Sequence, residues 1–330
     1  MLIGWSQDLP FSASLMPSMR PLFVTACVLV ACSRTPTPTT DVPQTSAPSA
    51  TAPSGAAPVA GPPLPKDAAP CATTSLDGGR TLECVRFASN EDAFKWVLAH
   101  DPQILAIGEA HAQKGAEIAS TTKRFTDTLL PIVAPNASDV VVELWAPDPK
   151  CQKEVKAVAS AQKPVTTAQA STNQNEYVTL GTKSKELGMT PWLLRPTCDD
   201  FTMLANAGDD AVGKMLALVK RLTQQKLTQL WERQKGAEAG PPKMVLAYGG
   251  AMHNDLFPAP ETKEWSFGPE LLTATSNRYI ELDLIVPEAI KDTPTWQKLP
   301  WYAPHKADPG PKDRATLYRN GDRSFTILLK

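Results

Sequence analysis

ILAIGEAH, residues 104–111, decides how the chain is read. Ile104 to Ile107 run unbroken into Gly108, the pattern of a strand buried on both faces. Glu109 and His111 then follow two residues apart, where a purely structural strand has no use for either.

The pattern recurs. DVVVELW (139–145), PWLLRP (191–196), KMVLAYGG (243–250) and RYIELDLIV (278–286) are further apolar strands. Helical spacing of apolar residues predicts helices over 89–100, with Ser89 as cap, and over 115–133, 175–189 and about 207–236. Helices alternating with continuous apolar strands predict an α/β fold, with a mostly parallel sheet flanked by helices on both faces. Short antiparallel hairpins are expected at its edges, over 72–87 and around Asn320-Gly321 in RATLYRNGDRSFTILLK. The polar stretch from 146 to about 172 shows no readable period.

Ahead of this domain, set at 71–330, the composition changes. MRPLFVTACVLVACS, from Met19, has a basic residue, a short apolar run and small residues before Cys32. That is a secretory signal, and its end resembles the bacterial lipobox. The run is shorter than the ~20 apolar residues a spanning helix takes. Cys32 is therefore expected to be lipidated, with residues 1–32 as signal peptide and the true start at Met16 or Met19. Residues 33–70 hold ten of the 32 prolines, and such a segment cannot bury enough apolar surface to order itself. It reads as a tether holding a domain off a membrane, and Ser33 favours the outer membrane of an envelope lipoprotein.

Cysteine use agrees with export. Cys71, Cys84, Cys151 and Cys198 remain once the signal and lipid site are set aside, and four allow three pairings. CATTSLDGGRTLEC looks like a hairpin that brings Cys71 to Cys84, and Cys151–Cys198 follows by elimination. The formal charge of -1 implies no basic face for nucleic acid.

Ligands of parallel sheets bind where loops leave the carboxyl ends of strands. Glu109 and His111 stand at the first such end and Glu143 at the second. Arg195 stands at the third and His253 just past the fourth. Both histidines end a Gly-x-x-His pattern, GEAH from 108 and GAMH from 250. A carboxylate closing VVVEL is costly to bury unless paired or ligated, and an ion pair with Arg195 is its structural alternative. Two imidazoles with two carboxylates suit Zn, Mn, Fe or Co, which could turn a bound water into a nucleophile. Without a metal, Glu109 could orient His111 as general acid and base, and Arg195 could bind a substrate carboxylate or an oxyanion. There is no G-x-S-x-G, no phosphate loop and no CxxCH.

These motifs resemble those of the Tiki/TraB proteases, the ChaN-like haem-uptake lipoproteins and the erythromycin-esterase-like proteins, which share one α/β fold. The likeness covers residues 104 to about 286. It implies that His111 and His253 are the paired site histidines and that Glu109 and Glu143 complete the site. Tiki proteins imply a divalent metal and peptide cleavage. Erythromycin-esterase-like proteins imply water activation by the first histidine without an obligatory metal. ChaN-like proteins imply haem binding through a tyrosine, for which Tyr177 and Tyr248 are available, and they match the expected lipid anchor. They commonly carry an acidic residue directly after the first histidine, where this chain has Ala112. Three readings follow: a metal-assisted hydrolase of a peptide, amide or ester bond, a haem or iron carrier, and a scaffold lipoprotein without chemistry.

Overall fold

The computed structural model describes residues 61–76, 79–115, 117–166, 169–236 and 241–330. Cys32, the signal and most of the expected tether lie outside them. The end of the tether does not. Ala69–Pro70 form a short strand, β1, whose Ala69 pairs with Arg86, and the Trp96 indole donates to the Pro62 carbonyl at 3.2 Å. Residues before 71 therefore pack on the domain.

The strands that follow are β2 (Thr74–Ser75), β3 (Thr81–Phe87), β4 (Ile104–Glu109), β5 (Ala137–Trp145), β6 (Thr190–Leu194), β7 (Met244–Gly250), β8 (Tyr279–Ile285), β9 (Ala315–Asn320) and β10 (Ser324–Leu328). They form one ten-stranded sheet in the order β1-β3-β9-β10-β8-β4-β7-β5-β6, with β2 beside β3. From β10 to β6 every neighbour is parallel. The pairs involving β1, β2, β3 and β9 with β10 are antiparallel, which puts the hairpins at one edge as expected.

The apolar runs follow from burial on both faces. Leu105 and Ile107 of β4 face one core with helices α1 (Asn90–Leu98) and α5 (Asn173–Glu186); Ile104 and Ala106 face the other. That second core is covered by α4 (Gln152–Thr166), α6 (Cys198–Ala205), α7 (Ala211–Lys235) and α8 (Gly268–Ala274). A third cluster, on α9 (Pro294–Gln297) and α10 (Tyr302–Ala307), joins Trp296, Trp301 and Tyr302 to Ile285 and Tyr318. Each fully buried Leu or Ile contributes about 1.5–3 kcal/mol relative to exposure.

Two helix expectations change. The helix placed at 115–133 begins at Thr121, in α2 (Thr121–Arg124), and continues through Phe125–Leu129 to α3 (Leu130–Val133). Ser120 caps it by accepting the Lys123 N–H at 3.0 Å, and Gly115 has φ +80°, a left-handed turn no helix continues through. The stretch without readable period contains α4. Both disulfides, Cys71–Cys84 and Cys151–Cys198, are present. Among the described residues no helix is long and apolar enough to cross a membrane.

Candidate functional site

Glu109 ends β4 and points to the face that carries Leu105 and Ile107. Four donors meet its carboxylate there. Oε1 lies 2.9 Å from His111 Nδ1 and accepts the Tyr177 hydroxyl at 2.9 Å; Oε2 accepts Thr122 and Tyr248, each at 2.7 Å. Burial, and then the charge of Glu109, push both phenols well above the usual tyrosine range, so they stay protonated donors. A carboxylate opposite Nδ1 fixes the tautomer of neutral His111, with the proton on Nδ1 and the lone pair on Nε2. That Nε2 is buried and has no hydrogen-bond partner among the described residues. Burial alone would lower the His111 pKa; the hydrogen bond and charge of Glu109, with the charge of Glu143, outweigh it and raise the value above the ordinary 6.5.

Glu143 points to the opposite face. It falls where β5 slips against β6, since Val142 pairs with Leu193 but Trp145 with Leu194. Glu143 and Leu144 are the extra residues of a bulge, a device that re-aims side chains beside sites. Oε2 accepts the Gly250 N–H at 2.7 Å, and Oε1 is buried without a hydrogen-bond partner among the described residues. His253 Nε2 stands 3.9 Å from that free oxygen, while its Nδ1 lies 2.8 Å from the Trp265 carbonyl.

The site is thus two Glu–His pairs on opposite faces, divided by the glycine end of β7. A Cβ on Gly249 would overlap Glu143 Oε2, and one on Gly250 would lie 3.4 Å from His111 Nε2 and 3.7 Å from Glu143 Oε2. The glycines let both pairs close on the strand. The two Gly-x-x-His motifs are not in step, because Gly108 pairs with Gly249 and Glu109 with Gly250. His111 therefore lies two residues past this last pair and His253 three.

The four-ligand metal set expected from the sequence is not assembled. Glu109 has its oxygens filled by four donors and faces away from Glu143. Among the described residues no three His, Cys, Asp or Glu side chains are grouped to hold a metal ion. Tyr177 and Tyr248, the tyrosines available for haem, are fully buried and turned onto Glu109. Arg195 follows the edge strand β6 and is exposed; among the described residues Glu143 pairs with His253 and not with it.

Sequence reading missed Thr122, and it missed the role of both tyrosines in locking Glu109. It also missed three carboxyls beside the His253 loop. Asp283 accepts the Asn254 amide at 3.0 Å and Glu281 accepts the Leu256 N–H at 2.8 Å, with Asp255 next to them. Burial pushes Asp283 up to about 7 and Glu281 well above the usual carboxylate range. The signal was in plain view, since YIELDLIV alternates acids through an apolar strand.

Two cavities adjoin the pairs. One of about 10 Å³, room for a single water, lies among Glu143, His253, Thr223 and Asn254. The other, about 140 Å³, is lined by His111, Ile118, Val286, Ala289 and Trp296. No family model, curated protein or solved structure matches the chain.

Proposed function

We propose that the protein is a hydrolase of an ester, amide or peptide bond, working by general acid–base chemistry at His111. The observation that carries this reading is the Glu109–His111 pair. One imidazole nitrogen is fixed by a carboxylate that four donors hold in place, and the other is buried without a hydrogen-bond partner among the described residues. Unsatisfied buried polar groups cost about 1–3 kcal/mol each, which a fold tolerates where the group has work to do.

In this reading water attacks the carbonyl carbon while Nε2 of His111 takes its proton. The carbon–oxygen or carbon–nitrogen bond then breaks, and His111 returns the proton to the leaving alcohol or amine. Glu109 holds the ring and balances its transient charge. His253, with Glu143, forms a second acid–base pair on the far side of Gly249 and Gly250. No step passes through a metal, because among the described residues no three His, Cys, Asp or Glu side chains are grouped to hold one. Cys32 and the proline-rich segment support an envelope lipoprotein, anchored by lipid with its domain outside the cytoplasm.

The test is to assay the full chain on chromogenic esters and anilides, before and after dialysis against chelator, beside His111→Ala and His253→Ala. Activity that survives the chelator and is lost in His111→Ala supports the reading. Activity lost to chelator and restored by Mn, Co or Zn returns the metal-assisted hydrolase. No activity, with a Soret band on adding haemin, returns the haem carrier, and neither result leaves a scaffold.

A further inference from the structure

The chain enters the domain over GPPLPKDAAP, residues 61–70, and its hold tightens along that run. Ala69 and Pro70 pair with β3, Cys71 is bonded to Cys84, and the Arg314 guanidinium donates to the Asp67 carbonyl. Before Asp67, one hydrogen bond to the rest of the domain is found among the described residues. It is the Trp96 indole donating to the Pro62 carbonyl at 3.2 Å. Pro62, Pro63 and Pro65 have no N–H with which to add another.

His100 lies under the same stretch. Its ring packs against Trp96 and Phe325, with centroids 4.6 and 4.9 Å away. Nδ1 donates to the Trp96 carbonyl at 3.0 Å, which leaves the lone pair of the neutral ring on Nε2. That Nε2 is buried with no hydrogen-bond partner among the described residues, and a Cβ on Gly61 would lie 3.1 Å from it. The backbone of the entering chain closes over a bare ring nitrogen.

A proton on that nitrogen would make a buried cation and an N–H without an acceptor, both unfavourable away from water. The charged neighbours oppose it too. β9 presents Arg319, paired with Glu83 and Asp322, and the turn to β10 presents Arg323, which donates to the His100 carbonyl. Asp101, the next residue, is taken by Arg278. The last turn of α1 offers the Trp96 and Val97 carbonyls, β10 the Phe325 ring, and the entering chain no charge before Lys66. Burial, with Arg319 and Arg323, outweighs the two carbonyls and holds His100 below the ordinary 6.5.

We infer that residues 62–66 form a strap, held over His100 while its ring is neutral and lifted from Trp96 when the ring takes up a proton. Lifting lets water reach Nε2 and moves the first fixed point of the chain from Pro62 to Asp67. The five residues released add about 15 Å of reach, at ~3.1 Å per residue for a proline-rich chain. The covered ring titrates below 6.5 and the uncovered ring near it, so the strap is held fully above about 6.5 and gives way as pH falls below. The strap is independent of the hydrolase reading; on the lipoprotein reading, acid lengthens the tether.

Full-length protein labelled with ¹⁵N at tryptophan reads the Trp96 indole, the signal missing from Trp96→Phe. Between about pH 8 and 5 it should shift from a bonded to a free position, with the midpoint of the His100 ring protons, below 6.5. Trp145 and Trp231, in the core on the other face of the sheet, should not move. His100→Leu cannot titrate, so its Trp96 signal should stay constant over the same range. Gly61→Ala sets a methyl against Nε2 and should raise the midpoint. A Trp96 signal that does not move with pH in the parent, the same shift persisting in His100→Leu, or all indoles moving together as in global unfolding, overturns the inference.

Discussion

Glu109 and Glu143 close the two strands that flank β7, yet their carboxylates lie on opposite faces of the sheet, each serving its own histidine. Glu109 meets His111 at 2.9 Å; Glu143 faces His253 at 3.9 Å. The two histidines are therefore differently equipped, and removing them should have different effects. His111 is held by a side chain with four donors, His253 by a backbone carbonyl and a carboxylate out of hydrogen-bond range.

The Glu109 charge sets when His111 can act as base. Its pKa is raised, so the neutral base appears only as pH climbs above the ordinary 6.5. The acid limb of kcat/KM should lie above that value. In Glu109→Gln the hydrogen bond and charge that raise it are gone, burial remains, and the limb should move to lower pH. The rate above both limbs should also fall, by up to about 10⁴-fold where the wrong tautomer results. A limb that stays in place in Glu109→Gln rules out this coupling.

Gly249 and Gly250 should differ sharply. A methyl at Gly249 would overlap Glu143 Oε2 and lie 2.9 Å from its Cβ, whereas one at Gly250 meets His111 Nε2 at 3.4 Å. Gly249→Ala should displace Glu143 and cost about 1–3 kcal/mol of stability, as overpacking does. Gly250→Ala needs only a few tenths of an ångström of movement. Thermal unfolding of the two variants reads the contrast, and equal losses would contradict the placement of Glu143.

Asp283 should make stability fall with rising pH. Its carboxyl is raised from 3.8 to about 7 by burial, with a contribution from Asp255 beside it. The native state thus holds a proton that the unfolded chain gives up near pH 4. This contribution is complete below about pH 4, declines between there and about 7, and is spent above. Asp283→Asn keeps an acceptor for Asn254 and removes the titration. It should flatten the fall in Tm across that window and raise Tm at pH 8 relative to the parent. A parallel curve would contradict the buried-acid assignment.

Much of this was legible from residue order, for identifiable reasons. ILAIGE, VVVELW and MVLAYGG read as strands because both faces of each are buried, so no polar residue interrupts them. That same property hid the division of the site. When both faces are apolar, alternation along a strand does not say which face its last carboxylate takes, and Glu109 and Glu143 looked convergent. The bulge at Glu143 arises from pairing with β6, a relation not written in either strand. Thr122 and Tyr177 reach Glu109 from 13 and 68 residues away, brought there by helix packing. The helix start at Thr121 was obscured because GAEIAS has helical composition while Gly115 turns the other way. In α4 the few apolar residues, Val155 and Val158 among them, are too sparse among lysine and glutamine to show a period.

The central claim is that the bare Nε2 of His111 is the working base. The direct measurement is hydrolysis of phenyl acetate by the full chain and by His111→Ala, with and without added imidazole. The account predicts a loss of about 10²- to 10⁴-fold in His111→Ala, partly restored by imidazole entering the space the side chain left. Hydrolysis by His111→Ala at the rate of the parent protein would contradict it.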